Sequence, residues 1–114
     1  ELGFPTANIQ VEDAQKLIPK NGVYAVWVKG GTGGEEHVWG GMLNIGLRPT
    51  MENGENRTIE VHLLDFAGDL YGCCLMLSFV RRLRDEKKFR NKGDLVHQLR
   101  EDEAMVRMIL NKEQ

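Results

Sequence analysis

The clearest pattern along the chain is a period of two. In Thr58-Ile-Glu-Val-His-Leu-Leu-Asp65 the apolar Ile59, Val61 and Leu63 alternate with Thr58, Glu60 and His62. An extended strand would then have one dry face and one that meets solvent or a ligand. Asp65 falls on the apolar register, but at a strand end its carboxylate can turn outward or cap the next loop. Residues 22–29 and 37–45 are two further β-rich runs. The first lies between Pro19-Lys-Asn and Gly30-Gly-Thr-Gly-Gly34; the second contains Gly40 and Gly41, where a bulge or a close backbone approach is expected. Residues 70–80 predict a long fourth strand, joined to the third by a hairpin at residues 66–69.

The period changes toward the C-terminus. Leu95, Val96, Leu99, Val106, Ile109 and Leu110 recur at helical spacings, with Asp94 as the expected N-cap after Gly93. Residues 83–89 predict a short helical segment or a turn before that helix. Strands followed by one terminal helix predict a small antiparallel barrel or curled sheet with the helix plugging its open side. A parallel α/β fold is disfavoured, because no stretch before Leu83 is long enough for a crossover helix. Residues 3–9 read as a loop running into a strand, and a further strand is expected ahead of them.

Composition narrows the class. A chain of 114 residues supports one core, so a single domain is expected over residues 1–114. Fifteen Lys and Arg against seventeen Asp and Glu leave a charge of -2, and no global field draws in nucleic acid or an anionic membrane. No apolar run, residues 73–77 included, is long enough to span a bilayer, and the expected compartment is the cytosol. Cys73 and Cys74 are neighbours on an expected strand and should point to opposite faces, which predicts reduced, partly buried, inert thiols.

Familiar catalytic loops are absent: there is no phosphate-binding loop ending in Gly-Lys-Ser or Gly-Lys-Thr, no dinucleotide fingerprint and no nucleophile elbow. His37, His62 and His97 have no metal-ligand spacing. Residues 81–92 carry seven basic and two acidic side chains, a patch that suits phosphate, a solvated helix face or RNA. Pro5-Thr-Ala-Asn8 sets Thr6 and Asn8 on one side of an extended segment. Two neutral oxygen-bearing groups there could share a phosphate-bound Mg²⁺, and an ordinary turn with side-chain capping is the alternative.

Taken together and in order, Leu2-Gly-Phe-Pro-Thr-Ala-Asn-Ile9, Asn21-Gly-Val-Tyr-Ala25, Leu43-Asn-Ile-Gly-Leu-Arg-Pro-Thr50, Ile59-Glu-Val-His-Leu-Leu-Asp-Phe66, Asp69-Leu-Tyr-Gly72, Leu83-Arg-Asp-Glu-Lys-Lys-Phe89 and Leu95-Val-His-Gln-Leu-Arg-Glu-Asp102 resemble the riboflavin kinase family. The resemblance covers nearly the whole chain. It implies a six-stranded antiparallel Greek-key barrel with a C-terminal helix, its first strand missing from this chain. It implies transfer of the ATP γ-phosphoryl group to the ribityl 5'-hydroxyl of riboflavin, giving FMN and ADP, with Mg²⁺ as the metal. In bacteria such a module is commonly linked to an N-terminal FAD synthetase module that adenylates FMN, and that module is not in this sequence.

The resemblance also implies roles for individual residues. Gly3, Pro5, Thr6 and Asn8 fall at the nucleotide, Thr6 also at the metal, Glu60 is the base, and Arg84 lies near the flavin. The expected partners are riboflavin, FMN, ATP and ADP, with no nucleic acid and no membrane. Two rivals stay open: a flavin-binding module without catalysis, and a small RNA-binding barrel using residues 81–92.

Overall fold

The computed structural model describes residues 6–8, 18–31, 36–50, 54–66 and 74–112. They form β1 (Thr6–Asn8), β2 (Gly22–Gly30), β3 (His37–Thr50), β4 (Gly54–Leu63), β5 (Met76–Arg84) and α1 (Lys92–Lys112). The five strands make one sheet in the order β1-β4-β3-β2-β5, and each neighbouring pair is antiparallel. Strands β2, β3 and β4 meander, and β5 returns to the far side of β2. The spatial order β5-β2-β3-β4 is that of a Greek key.

Alternation along these strands sorts the side chains onto two faces. Tyr24, Val26, Val28, Leu43, Ile45, Val61 and Leu63 form one buried cluster, with Ile59 packed against it. Ala25, Met42 and Leu64 point the other way, and α1 covers them with Val106, Ile109 and Leu110. The polar face expected from the period of two is therefore only partly open, because the helix lies across its Met42 end. Val106 is fully buried there, a contribution of about 1.5–3 kcal/mol for a side chain of its kind. Gly40 permits the close approach anticipated from the sequence: a Cβ there would stand 2.7 Å from Leu110 Cδ1. No register shift interrupts the β2–β3 pairing at this point.

Several boundaries differ from expectation. Strand β3 runs on to Thr50 and β4 starts at Gly54, because the two continue pairing as far as Thr50 opposite Gly54. The hairpin between the third and fourth expected strands does not form between β4 and β5: β4 has β1 and β3 as neighbours, and β5 pairs with β2. Residues 67–73 lie outside the described residues, and the fourth expected strand is β5 at Met76–Arg84. Residues 83–89 are not helical. Leu83 and Arg84 finish β5, and residues 85–89 have no regular structure. Pairing with β2 holds the backbone extended as far as Arg84, opposite Val23, with two irregularities that absorb the mismatch.

Helix α1 starts earlier than Asp94. Asn91 Oδ1 accepts the Asp94 backbone N–H at 2.8 Å, so Asn91 is the N-cap and Asp94 sits in the first turn. Cys74 is an exposed free thiol ahead of β5 rather than a partly buried strand residue; Cys73 lies outside the described residues. Asp65 does turn outward. It adopts φ 58° just after β4 and receives both Nη groups of Arg107 at 2.9 Å. Those Arg107 hydrogen bonds hold its carboxyl below the usual carboxylate range.

Candidate active site

Cross-strand register assembles the polar groups of β1, β3 and β4. Asn8 is directly opposite Glu60 and Thr6 directly opposite His62, with Ala7 paired to the core residue Val61 between them. On its other side Glu60 is opposite Asn44, and His62 is opposite Met42. Facing residues of antiparallel strands share a face and have Cα atoms about 4.5–5.5 Å apart. A row Asn8-Glu60-Asn44 therefore crosses three strands, with Thr6-His62-Met42 beside it.

The two rows differ in surroundings. Glu60 and Asn44 are half-buried, while Met42 is buried under α1. Burial lowers the pKa of His62 below 6.5, and the nearby Glu60 opposes the shift without reversing it. Burial thus favours the neutral form of the His62 ring. Thr6 and Asn8 come from a three-residue strand at the sheet's β1 edge, where a ligand could approach. Gly3 and Pro5 lie outside the described residues.

Arg84 belongs to a different environment. It sits opposite Val23 on β5, three strand spacings from Glu60, or about 14 Å along the sheet. Its guanidinium grips the buried Asp102 of α1, with Nε 3.0 Å from Oδ1 and Nη2 2.7 Å from Oδ2. Gln98 Nε2 donates to the same carboxylate at 3.0 Å, and Arg84 Nη1 donates to the Asp85 carbonyl at 3.0 Å. Arg84 thus fastens residues 85–91 to the helix, and its donors are engaged within the protein. Arg82 is likewise occupied, donating to the Asn21 carbonyl and to Asp85. The basic run is therefore no solvated helix face; at least two of its cations are structural.

Sequence reasoning missed Asp102, Asn44 and Glu86. Asp102 lies three residues after Leu99 and four before Val106, inside the apolar stripe, and that position was its signal. Asn44 is set beside Glu60 only by strand pairing. Glu86 follows β5, yet its carboxylate lies over Gly46 of β3, its carboxyl carbon 2.9 Å from the place a Cβ would take. An open depression lined by Lys29, Gly31, Glu36, Cys74 and Met76 among others opens at the other end of β2. Lys29 is six residues along that strand from Val23, about 20 Å away.

A model of the family described as "Flavokinase: Riboflavin kinase" matches residues 1–110. The chain belongs to the riboflavin kinase family. It is similar to the bifunctional riboflavin kinase/FMN adenylyltransferase of Pseudomonas fluorescens, with 40% identity over 109 residues, 96% of this chain and 33% of that protein. The protein of the same description in Escherichia coli K12 is 41% identical over 106 residues, 93% of this chain and 32% of that one. The Bacillus subtilis protein is 38% identical over 103 residues, 89% of this chain and 31% of that one. This riboflavin kinase family chain thus spans about a third of the length of these relatives. Among solved structures it resembles a crystal structure described as a macrolide-efflux protein from Streptococcus pneumoniae, with a TM-score of 0.81 and 35% identity, covering 93% of this chain and 33% of that one. Among the described residues of this family member, no helix is long and apolar enough to cross a membrane.

Proposed function

We propose that this chain is the kinase part of a longer bifunctional riboflavin kinase/FAD synthetase, working in the cytosol. It transfers the γ-phosphoryl group of ATP to the ribityl 5'-hydroxyl of riboflavin, giving FMN and ADP. The observation that carries the reading is the row in which Asn8 faces Glu60, beside the pair Thr6 and His62. A carboxylate on the side of the sheet away from its core can meet a hydroxyl, and a neutral amide and hydroxyl on the adjacent edge strand suit phosphate oxygens. The five described strands are, in this reading, part of a six-stranded Greek-key barrel, which the order β5-β2-β3-β4 supports.

In the proposed mechanism Glu60 takes the proton of the 5'-hydroxyl as its oxygen forms a bond to the γ-phosphorus. The bond from that phosphorus to the β–γ bridging oxygen breaks, and ADP leaves with the electron pair. Asn8, next to Glu60 on the edge strand, orients the phosphoryl group, and Gly3 and Pro5 belong to the nucleotide side. The donor set fits Mg²⁺. A hard octahedral ion shared with ATP takes one or two protein oxygens and completes its shell with phosphate and water. The Thr6 hydroxyl is such a donor, and among the described residues no group of three His, Cys, Asp or Glu forms a cage. When bound, the ion neutralises charge on the phosphates. Burial favours the neutral His62 ring, the form that adds no positive charge beside the proton-accepting carboxylate.

The RNA-binding rival is weakened by the occupied guanidinium groups of Arg82 and Arg84. The test is an assay of the intact protein with riboflavin, ATP and Mg²⁺, read by chromatographic separation of FMN. FMN formation dependent on all three is expected. Flavin binding without turnover would leave the non-catalytic rival, and the absence of both would overturn the reading.

A further inference from the structure

Glycine at position 46 of β3 is explained by what lies over it. Gly46 pairs with Thr58, one row along from Asn44 and Glu60 and on the same face of the sheet. The volume that a side chain would fill at Gly46 is occupied by the Glu86 carboxylate, which arrives from the irregular segment after β5. Any residue larger than glycine would displace it. Glu86 is thereby held as a diagonal neighbour of Glu60, at a cross-strand separation of about 7–8 Å. The carboxylate is half-buried, and among the described residues no hydrogen bond or ion pair engages it. A partly desolvated carboxylate gains most from a donor brought to it.

The order across the sheet says which donor. Asn8 flanks Glu60 on the β1 side, while Asn44 and Gly46 lie on the β3 side. If phosphates occupy the β1 side, as the proposed function requires, an acceptor reacting in line across Glu60 must lie over Asn44 and Gly46. We propose that Glu86, seated in the space left by Gly46, is a positioning residue for the acceptor, accepting hydrogen bonds from secondary hydroxyls of its polyol chain. This rests on the reading of the chain as a riboflavin-phosphorylating enzyme. It adds a second carboxylate whose task is orientation rather than proton transfer.

The experiment measures binding and turnover in the intact protein. Flavin fluorescence in the presence of ADP gives the affinity for riboflavin and for lumiflavin, which has the ring system without the polyol. Losing a charge-assisted hydrogen bond should weaken riboflavin binding by E86Q about tenfold or more, raise the riboflavin KM in step, and leave the ATP KM and lumiflavin affinity within twofold. G46A, whose Cβ takes the carboxylate's place, should weaken riboflavin similarly and add little in an E86A background. If the parent neither binds nor phosphorylates riboflavin, the functional reading and this proposal both fail. If the parent does both, riboflavin binding by E86Q within twofold of parental overturns the role of Glu86 alone. An equal loss for lumiflavin, or full additivity of G46A and E86A, overturns it as well.

Discussion

Arg84 and Asp102 form a forked ion pair between the end of β5 and the buried side of α1, closed at 2.7 Å between Nη2 and Oδ2. Asp102 is 4% exposed and stands in the helix stripe between Leu99 and Val106. The pair does what an apolar contact at that site could not: it fixes where the irregular segment 85–91 leaves the sheet, since Arg84 also holds the Asp85 carbonyl.

Arg84→Ala should therefore act first on stability. It leaves the Asp102 carboxylate buried with, among the described residues, only Gln98 as a donor, and breaking a buried pair on one side typically costs about 3–5 kcal/mol. Denaturant unfolding of R84A should show a loss of that order, and Arg84→Lys, which keeps the charge without the fork, a smaller one. Unchanged stability in R84A, together with a raised riboflavin requirement, would support the place near the flavin that the resemblance implies for Arg84.

The part of this architecture legible in the sequence is the part governed by local periodicity. Ile59, Val61 and Leu63 are set on the core face by alternation alone, and α1 by its spacing of apolar residues. Pairing is decided elsewhere. The Arg-rich end of β5 looks helical in isolation and is extended because the edge of β2 was open to it. In the same way the row Asn8-Glu60-Asn44 unites three segments that no short-range pattern relates. Asp102 reads as a polar interruption of a stripe until Arg84 arrives from eighteen residues away. Glu86 has no signal of its own, because the glycine that receives it lies two strands away.

His62 should make stability depend on pH. Its folded pKa lies below the ordinary 6.5 because burial disfavours the charged ring. The unfolded chain therefore takes up a proton as pH falls through about 6.5, before the folded chain does. The stabilisation is complete above that pH and declines below it until the folded ring also protonates. Thermal unfolding between pH 8 and 5 should show this decline in the parent and a flatter profile in His62→Gln. Parallel profiles for the two proteins would mean that another group governs that window.

Thr6→Ala tests the metal side. Thr6 lies on the short edge strand β1, so the sheet should stay folded without its hydroxyl. Loss of a contact that stabilises the transferring phosphoryl group commonly costs about 10²-fold in turnover. In the intact protein T6A should form FMN at about a hundredth of the parental rate at limiting Mg²⁺, with partial recovery as Mg²⁺ is raised. Turnover within threefold of parental at limiting Mg²⁺ would remove Thr6 from the metal site.

Glu60→Gln separates proton transfer from binding. Glutamine keeps the size of the side chain and its place between Asn8 and Asn44, yet it cannot take a proton from a primary hydroxyl. General-base assistance is typically worth about 10²–10⁴ in rate. Folding should be little affected, because Glu60 lies on the face away from Val61 and Leu63, which are the buried members of β4. Removing its charge would push the His62 pKa down further, since Glu60 is the group that raises it, and so favours the neutral ring that the folded state already holds. E60Q in the intact protein should thus unfold near the parental temperature at pH 7, bind riboflavin and ADP within a few-fold of parental affinity, and form FMN at least about 100-fold more slowly. Parental turnover would rule out Glu60 as the base. A large fall in melting temperature would instead make it a structural carboxylate held between the two asparagines.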